Sequence, residues 1–341
     1  MPANATTPEA ILRRLEWTVI RRLDGLLQGD YRTLFRGAGL DLADLREYQH
    51  HDDVRHIDWN VTARLQQPYV RQFTEDRELT AWFLLDLSGS VEFGSQRSKR
   101  SVSTEFVAVL ARLLTRHGNR VGAMLYGNAL DEVLPARNGR THVLHLLQRM
   151  LKHETPQAKS QTRLQDLLQH AAPMIPRRST VFVVSDFISA PGWGDALARL
   201  ALRHEVLAVR LYDPLEMALP DLGMVTMQDA ETGEQLWVDT HDPGFRERFA
   251  KAADRQEAEL RAALTRAGVD ALELSTDEDL VSTLLRFVEL RRQRSRLSAG
   301  GGLPGHLKPV SPELEATAGR LKRAFIPSAD RPAYSSAEGL S

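Results

Sequence analysis

The sequence predicts an α/β fold with a mainly parallel sheet of about six strands and helices on both faces. Two apolar runs, 81–85 and 180–184, have the length and composition of strands that are buried on both faces of such a sheet. Helical patterns alternate with strand patterns along most of the chain, which indicates right-handed crossovers between parallel strands. The 341 residues, 42% hydrophobic and 26% charged, have the composition of a globular protein.

The N-terminal part precedes the sheet and contains two different patterns. Thr7 and Pro8 form a helix-start signal, and apolar residues then recur at helical spacing, so residues 1–30 are predicted to form a helix. Residues 31–78 are rich in Arg, Asp and aromatic residues and show little periodicity. We expect this irregular segment to be held by Arg–carboxylate hydrogen bonds, which are the strong pairing for those side chains.

The α/β domain is predicted to span residues 79–290, with an inserted β-hairpin at about 214–242. Helices are expected at 98–117, 141–153, 163–172, 192–203, 245–267 and 276–292, and further strands at 120–126, 130–134, 205–212 and 269–274. The strand at 130–134 is expected to run antiparallel to its predecessor, because only Gly127-Asn128-Ala129 separates the two. Residues 291–341 carry nine Lys or Arg and four Asp or Glu, a net of +5, and are predicted to be a disordered basic tail.

Composition excludes several classes of protein. A formal net charge of −1 argues against a dedicated nucleic-acid-binding protein, although the basic tail leaves contact with nucleic acid or an anionic membrane open. The absence of cysteine excludes disulfides, zinc–thiolate sites and thiol catalysis. No apolar run approaches the ~20 residues of a membrane span, and no secretory signal opens the chain, so a cytoplasmic location is expected.

Oxygen-bearing side chains follow the two most apolar strands. Asp86, Ser88 and Ser90 lie at alternate positions after the first strand, and Asp186 ends the second. Thr162 stands at the start of the helix between them. Ligands of open α/β sheets bind just beyond the carboxyl ends of the strands, and carboxylates with hydroxyls are ligands for hard cations. These residues therefore predict a site for Mg²⁺, with Mn²⁺ as the alternative.

The ordered set of five donors resembles the metal-ion-dependent adhesion site of the von Willebrand factor A fold, which is a Rossmann-like fold. Two carboxylates and three hydroxyls do not fully neutralise a divalent cation, so we expect the ion to keep an open coordination position for a carboxylate of a protein partner. The resemblance implies that Asp86, Ser88, Ser90, Thr162 and Asp186 bind the metal and that the protein binds other proteins.

A second resemblance covers roughly residues 30–290. The runs Arg36-Gly37-Ala38-Gly39-Leu40 and Asp52-Asp53-Val54-Arg55-His56-Ile57-Asp58-Trp59-Asn60 resemble the segment that the bacterial domain of unknown function 58 family attaches to a von Willebrand A-like domain. This family resemblance implies a non-enzymatic adaptor that works beside a MoxR-type AAA+ ATPase in remodelling or maturing client proteins.

One departure from that family's pattern lies just before the paired aspartates, where the family usually has a Pro-Gly or similar turn. Here His50 and His51 stand in its place. With Asp52, Asp53, His56 and Asp58 they suggest a second, transition-metal site. Adjacent side chains of an extended segment point to opposite sides, which favours structural Arg–Asp pairing instead.

Two other functions remain open. A metal-dependent hydrolase or phosphatase would use Asp86, but Ser88 stands where a haloacid dehalogenase-type phosphatase has its second carboxylate. The chain also lacks Gly-x-Ser-x-Gly and the Gly-x-x-x-x-Gly-Lys-Ser/Thr motif of nucleotide-binding loops. A structural scaffold with a vestigial metal site is the second alternative.

Overall fold

The computed structural model describes residues 7–21, 23, 44–49, 54, 57, 59–72, 79–127, 129–154, 162–228 and 234–298. The helices are α1 (Pro8–Leu15), α2 (Trp59–Leu65), α3 (Lys99–Arg116), α4 (Arg140–Lys152), α5 (Leu164–Met174), α6 (Trp193–Ala201), α7 (Pro214–Met217), α8 (Pro243–Ala267) and α9 (Leu280–Ser298). The strands are β1 (Asp44–Glu47), β2 (Tyr69–Gln72), β3 (Thr80–Asp86), β4 (Arg120–Tyr126), β5 (Leu130–Arg137), β6 (Thr180–Ser185), β7 (Glu205–Tyr212), β8 (Met224–Gln228), β9 (Gln235–Asp239) and β10 (Asp270–Ser275).

The central sheet has six strands in the order β10-β7-β6-β3-β4-β5. The first five are parallel, and β5 runs antiparallel to β4 at the edge. Strands β3 and β6 are direct neighbours, with Leu85 opposite Val184. The predicted α/β class is therefore confirmed: this is a mainly parallel sheet of six strands with helices on both faces.

Each face of the sheet buries its own core. Alternate residues of β3 point to opposite faces, so Phe83 belongs to one core and Leu84 to the other. On the first face the rings of Phe83 and Phe182 stack with centroids 5.0 Å apart, and Phe106 of α3 meets both at their edges. Each fully buried aromatic or aliphatic side chain contributes ~1.5–3 kcal/mol to folding. Because both faces of the sheet are covered, the sequences of β3 and β6 are continuous apolar runs.

The N-terminal helix packs against α3 and α4. Thr7 caps α1 by accepting a hydrogen bond from the backbone of Ala10, and Ile11, Leu12 and Leu15 are buried in the first core. A five-residue π-helical segment, Glu16–Ile20, continues the chain.

Several elements differ from the sequence prediction. The segment expected to be irregular contains helix α2 and an antiparallel pair, β1 with β2. Helix α7 was not predicted, because a four-residue helix is too short to show periodicity. Helix α9 continues to Ser298 instead of ending near residue 292. The predicted hairpin insertion is present as β8 and β9. Within the described ranges, no helix combines the length and apolar character that crossing a membrane requires.

Close packing at Gly122 of β4 gives a test of the second core. A Cβ atom at this position would lie 2.8 Å from Cε3 of the buried Trp82 ring. We expect Gly122→Ala to lower the free energy of unfolding by ~1–3 kcal/mol through overpacking, measured by urea denaturation. Gly194→Ala is the matched control, since its Cβ would meet Ala263 at an ordinary 3.7 Å. An equal effect of the two substitutions would contradict this account.

Candidate metal centre

The loop after β3 presents three of the predicted donors. Asp86 is the last residue of the strand, Ser88 precedes a short 3-10 helix at Gly89–Glu92, and Ser90 lies within that helix. All three side chains are buried. The Ser88 backbone N–H donates to Oδ1 of Asp86 at 3.0 Å, and the Oγ atoms of Ser88 and Ser90 lie 3.2 Å apart. The loop thus turns its oxygens inward instead of toward solvent.

The loop after β6 brings the second carboxylate to the same edge. Strand β6 ends at Ser185, whose hydroxyl donates to Oδ2 of Asp86 at 2.6 Å, and Asp186 follows directly. Phe187 then adopts a left-handed φ of 59°, which is costly for a residue other than glycine. This reversal lets the Ile188 N–H donate to Oδ1 of Asp186 at 3.0 Å. Asp186 is therefore held firmly beside Asp86.

Thr162 is joined to the loop after β6 by hydrogen bonds to its backbone carbonyl. It lies two residues before the first residue of α5 and is buried. Its carbonyl oxygen accepts hydrogen bonds from the Ala190 N–H at 3.0 Å and the Ser189 hydroxyl at 2.9 Å. Thr162 is thus joined through its backbone to the loop that carries Asp186, and its role as a metal ligand stays a prediction.

A lysine that the sequence analysis did not single out lies in the same group. Lys99, in the first turn of α3, has 0% of its surface exposed. Its ammonium donates to Oδ2 of Asp186 at 2.6 Å and to Oε1 of Glu216 at 2.7 Å. Burial lowers the pKa of Lys99, but the carboxylates of Asp186 and Glu216 outweigh burial and hold the pKa above its usual value. Lys99 is therefore a buried, charged lysine.

Asp213, the residue that follows β7, links several loops at this edge of the sheet by hydrogen bonds. Its Oδ1 accepts from the Leu215 N–H at 2.9 Å, and its Oδ2 accepts from the N–H and hydroxyl of Ser95 and from the hydroxyl of Thr276. The Asp213 N–H in turn donates to Glu216 at 3.0 Å, which completes a capping box on α7. The buried carboxylate thus joins three loops around the candidate centre.

The donor set fits a hard divalent cation. Adjacent oxygens around an octahedral Mg²⁺ with ~2.1 Å bonds lie about 3 Å apart, which matches the separation of the Ser88 and Ser90 hydroxyls. Each oxygen of Asp86 and Asp186 retains acceptor capacity, because a carboxylate oxygen has two lone pairs. These residues, with Thr162, are those that would hold the ion, directly or through water. A bound ion would supply Lewis acidity toward an incoming oxygen ligand.

The pKa of Asp86 is raised, because burial and a second nearby carboxylate disfavour its charged form. Burial raises the pKa of Asp86 to about 6, and repulsion from the Asp186 carboxylate adds to the shift, while hydrogen bonds from Ser185 and Ser88 oppose it. The folded chain therefore binds a proton at Asp86 more tightly than the unfolded chain, whose pKa is 3.8. Its folding stability falls as pH rises from the unfolded pKa through the folded one.

This linkage predicts a pH effect on the metal-free protein. In EDTA, lowering the pH from about 7.5 to about 5 should remove part of the penalty at Asp86 and raise the free energy of unfolding by ~1 kcal/mol from this group. Urea denaturation at both pH values measures it. Asp86→Asn isolates the contribution, because the variant should lose this part of the pH dependence. Identical pH profiles for wild type and variant would contradict the prediction.

The second metal site that the sequence suggests falls in a part of the chain that the structure does not describe. His50, His51, Asp52, Asp53, His56 and Asp58 lie outside the described residues, so the suggested transition-metal site stays a prediction. Among the described residues, the candidate centre included, no group of three or more His, Cys, Asp or Glu side chains is arranged to hold a metal ion. The one sequence signal at Lys99 is that a cation in the first turn of a helix opposes the helix dipole, and this signal does not show which side chains surround the lysine.

Known proteins resemble the chain at two levels. Sequence relatives include "Uncharacterized protein Rv1480" of Mycobacterium tuberculosis, 38% identical over 300 residues, which cover 87% of this chain and 92% of the relative. "Uncharacterized protein MAV169" of Mycobacterium avium is 36% identical over 162 residues, covering 47% of this chain and 94% of that protein.

Solved structures share less sequence. BatB from Bacteroides thetaiotaomicron aligns over 64% of this chain and 99% of its own, at 15% identity and a TM-score of 0.39. The SpRpn10 VWA domain aligns over 62% and 95%, at 14% identity and a TM-score of 0.33. A family model matches residues 44–259, which is more than half of the chain. The protein therefore belongs to the family described as Protein of unknown function DUF58.

Proposed function

We propose that this protein is a non-enzymatic, metal-dependent protein-binding adaptor. A Mg²⁺ ion held by Asp86, Ser88, Ser90, Thr162 and Asp186 would bind a carboxylate of a partner protein at its open position. The observation that carries the proposal is the 3.2 Å separation of the Ser88 and Ser90 hydroxyls beside two buried carboxylates, which suits two neighbouring ligands of one ion. Von Willebrand A-like folds commonly serve in protein interactions, which supports this assignment.

A groove beside the centre offers room for the rest of the partner. It has a volume of about 710 Å³ and shares Asp186 and Glu216 with the group around Lys99. Trp193 and Leu260 contribute apolar walls. Five Asp or Glu and two Arg side chains line the groove, so its charge is mainly negative. A partner segment that carries apolar and basic residues next to its metal-binding carboxylate would complement these walls.

The identity of the partner is the finer part of the proposal. The family resemblance implies a MoxR-type AAA+ ATPase, which would supply the energy for remodelling a client, with this chain selecting that client. Binding of the purified chain to a purified MoxR-type ATPase, measured with Mg²⁺ and with EDTA, tests this part. Equal binding in Mg²⁺ and in EDTA would show that the contact with the ATPase does not depend on the metal site.

Two observations bear on the alternatives. Asp86 has 0% exposure and both of its carboxylate oxygens accept hydrogen bonds, which disfavours a hydrolase that uses Asp86 as a nucleophile. Phosphate and ester substrates incubated with protein and Mg²⁺ should give no chelator-sensitive turnover. Lys99 already neutralises part of the site without an ion, which is what a scaffold with a vestigial site would also need.

Thermal unfolding separates the adaptor from the scaffold. We expect Mg²⁺ at millimolar concentration to raise the Tm by several degrees relative to EDTA, because an ion that binds only the folded state stabilises it. Asp254 provides a control: it is exposed on α8 outside the groove, so Asp254→Asn should leave the Mg²⁺ response unchanged. A wild-type Tm that is the same in Mg²⁺ and in EDTA would contradict the proposal and favour the scaffold.

A further inference from the structure

Lys99 occupies an unusual place for a lysine. Its side chain is fully buried in the first turn of α3, where the helix dipole disfavours a positive charge. Burying an ammonium is costly unless hydrogen-bonded carboxylates compensate for lost hydration. Asp186 and Glu216 provide that compensation at 2.6 and 2.7 Å. Packing alone does not explain why the ammonium of Lys99 is buried at the candidate centre at this energetic cost.

Lys99 and a metal ion would share the same carboxylate. Oδ2 of Asp186 accepts a short, charge-assisted hydrogen bond from the ammonium, which withdraws negative charge from that oxygen. An ion held by Asp186, directly or through water, would share this carboxylate with the ammonium and would therefore lie close to it. Repulsion between the two cations is strong at such distances, because buried sites screen charge much less than water does.

Glu216 holds Lys99 from the other side. Its Oε1 accepts from the ammonium, while its Oε2 accepts from the Asp213 backbone at the start of α7. Without Glu216, the positive charge of Lys99 would be balanced by Asp186 alone. The two carboxylates therefore act on Lys99 in opposite senses: Asp186 draws the ammonium toward the metal centre, and Glu216 draws it away.

We propose that Lys99 sets the metal affinity of this site: it neutralises and positions Asp186 when no ion is bound, and it weakens ion binding so that the ion and the partner bind reversibly. This inference rests on the proposed metal-dependent function. It predicts opposite effects for Lys99 and Glu216. Removing the ammonium should strengthen Mg²⁺ binding, whereas removing the Glu216 charge should weaken it.

Calorimetric titration of the full chain with MgCl₂ tests this. Lys99→Met should lower the Kd for Mg²⁺ at least tenfold, and Glu216→Gln should raise it at least threefold. Lys251→Met, which replaces an exposed lysine that pairs with Glu247 on α8, should change the Kd less than twofold. Thermal unfolding provides a second readout: Lys99→Met should have a lower Tm than wild type in EDTA but a larger rise in Tm with Mg²⁺.

The outcomes separate this inference from the proposed function. Weaker Mg²⁺ binding by both variants would assign Lys99 a merely structural role and overturn the inference, even though wild type binds the ion. If Lys99→Met is not recovered folded, Glu216→Gln decides: unchanged or tighter Mg²⁺ binding would overturn the inference. Binding by Lys99→Met but not by wild type would support the inference and contradict the proposed function. Absence of Mg²⁺ binding in all proteins would overturn both.

Discussion

Asp86→Asn should abolish the response to Mg²⁺ and, at the same time, make the metal-free protein more stable. The substitution removes a metal-binding carboxylate, so the rise in Tm caused by Mg²⁺ should disappear. It also removes a buried charge whose pKa is raised to about 6 by burial and by Asp186. At about pH 7.5 we expect the free energy of unfolding in EDTA to increase by ~2 kcal/mol, measured by urea denaturation.

Opposite changes in binding and stability distinguish a functional carboxylate from a structural one. Asp86→Asn is preferred over Asp186→Ala, because the latter would leave the buried Lys99 with Glu216 alone and destabilise the fold. Asp254→Asn again serves as the exposed control. A metal-free Asp86→Asn protein that is markedly less stable than wild type would show that the charge of Asp86 is required for folding.

Asp213→Ala should have the largest destabilising effect at the sheet edge. Its carboxylate has 0% exposure and accepts four hydrogen bonds, which come from Ser95, Leu215 and Thr276. Removing it would leave buried donors without acceptors and loosen the loop that leads into α3. We expect the free energy of unfolding to fall by ~3 kcal/mol or more, measured by urea denaturation.

A graded series tests that interpretation. Thr276→Val keeps the shape of the side chain but removes one donor, so it should cost only ~1 kcal/mol. Asp254→Ala should have almost no effect, because this residue is exposed. Equal losses for Asp213→Ala and Thr276→Val would mean that the carboxylate is not the centre of this network.

The sheet and the strand-end donors could be predicted because their signals are local. A strand that is covered on both faces has apolar side chains pointing both ways, and β3 and β6 show this pattern. Parallel strands end at the same edge, so Asp86 and Asp186 had to come close once the two strands became neighbours. The helix and strand boundaries differ from the predictions mostly by one to three residues, because helix ends depend on capping contacts that periodicity does not show.

Lys99 and Glu216 could not be placed from the sequence. Their link spans 117 positions, and it depends on the rotation of α3 about its axis and on the four-residue helix α7. Helical spacing assigns Lys99 to the polar start of an amphipathic helix, where a lysine is ordinarily solvated. Asp213 likewise gave no signal in the sequence, because the helix that it caps is too short to show periodicity and only the fold brings Ser95 and Thr276 to it.

A crystal grown with Mn²⁺, with diffraction data collected at the manganese absorption edge, tests the central claim most directly. The account predicts one strong anomalous peak that is bonded to the Ser88 and Ser90 hydroxyls, with the carboxylates of Asp86 and Asp186 and the Thr162 hydroxyl in contact directly or through water. An anomalous map without a peak at this edge of the sheet, or with the ion bound elsewhere on the chain, would contradict it.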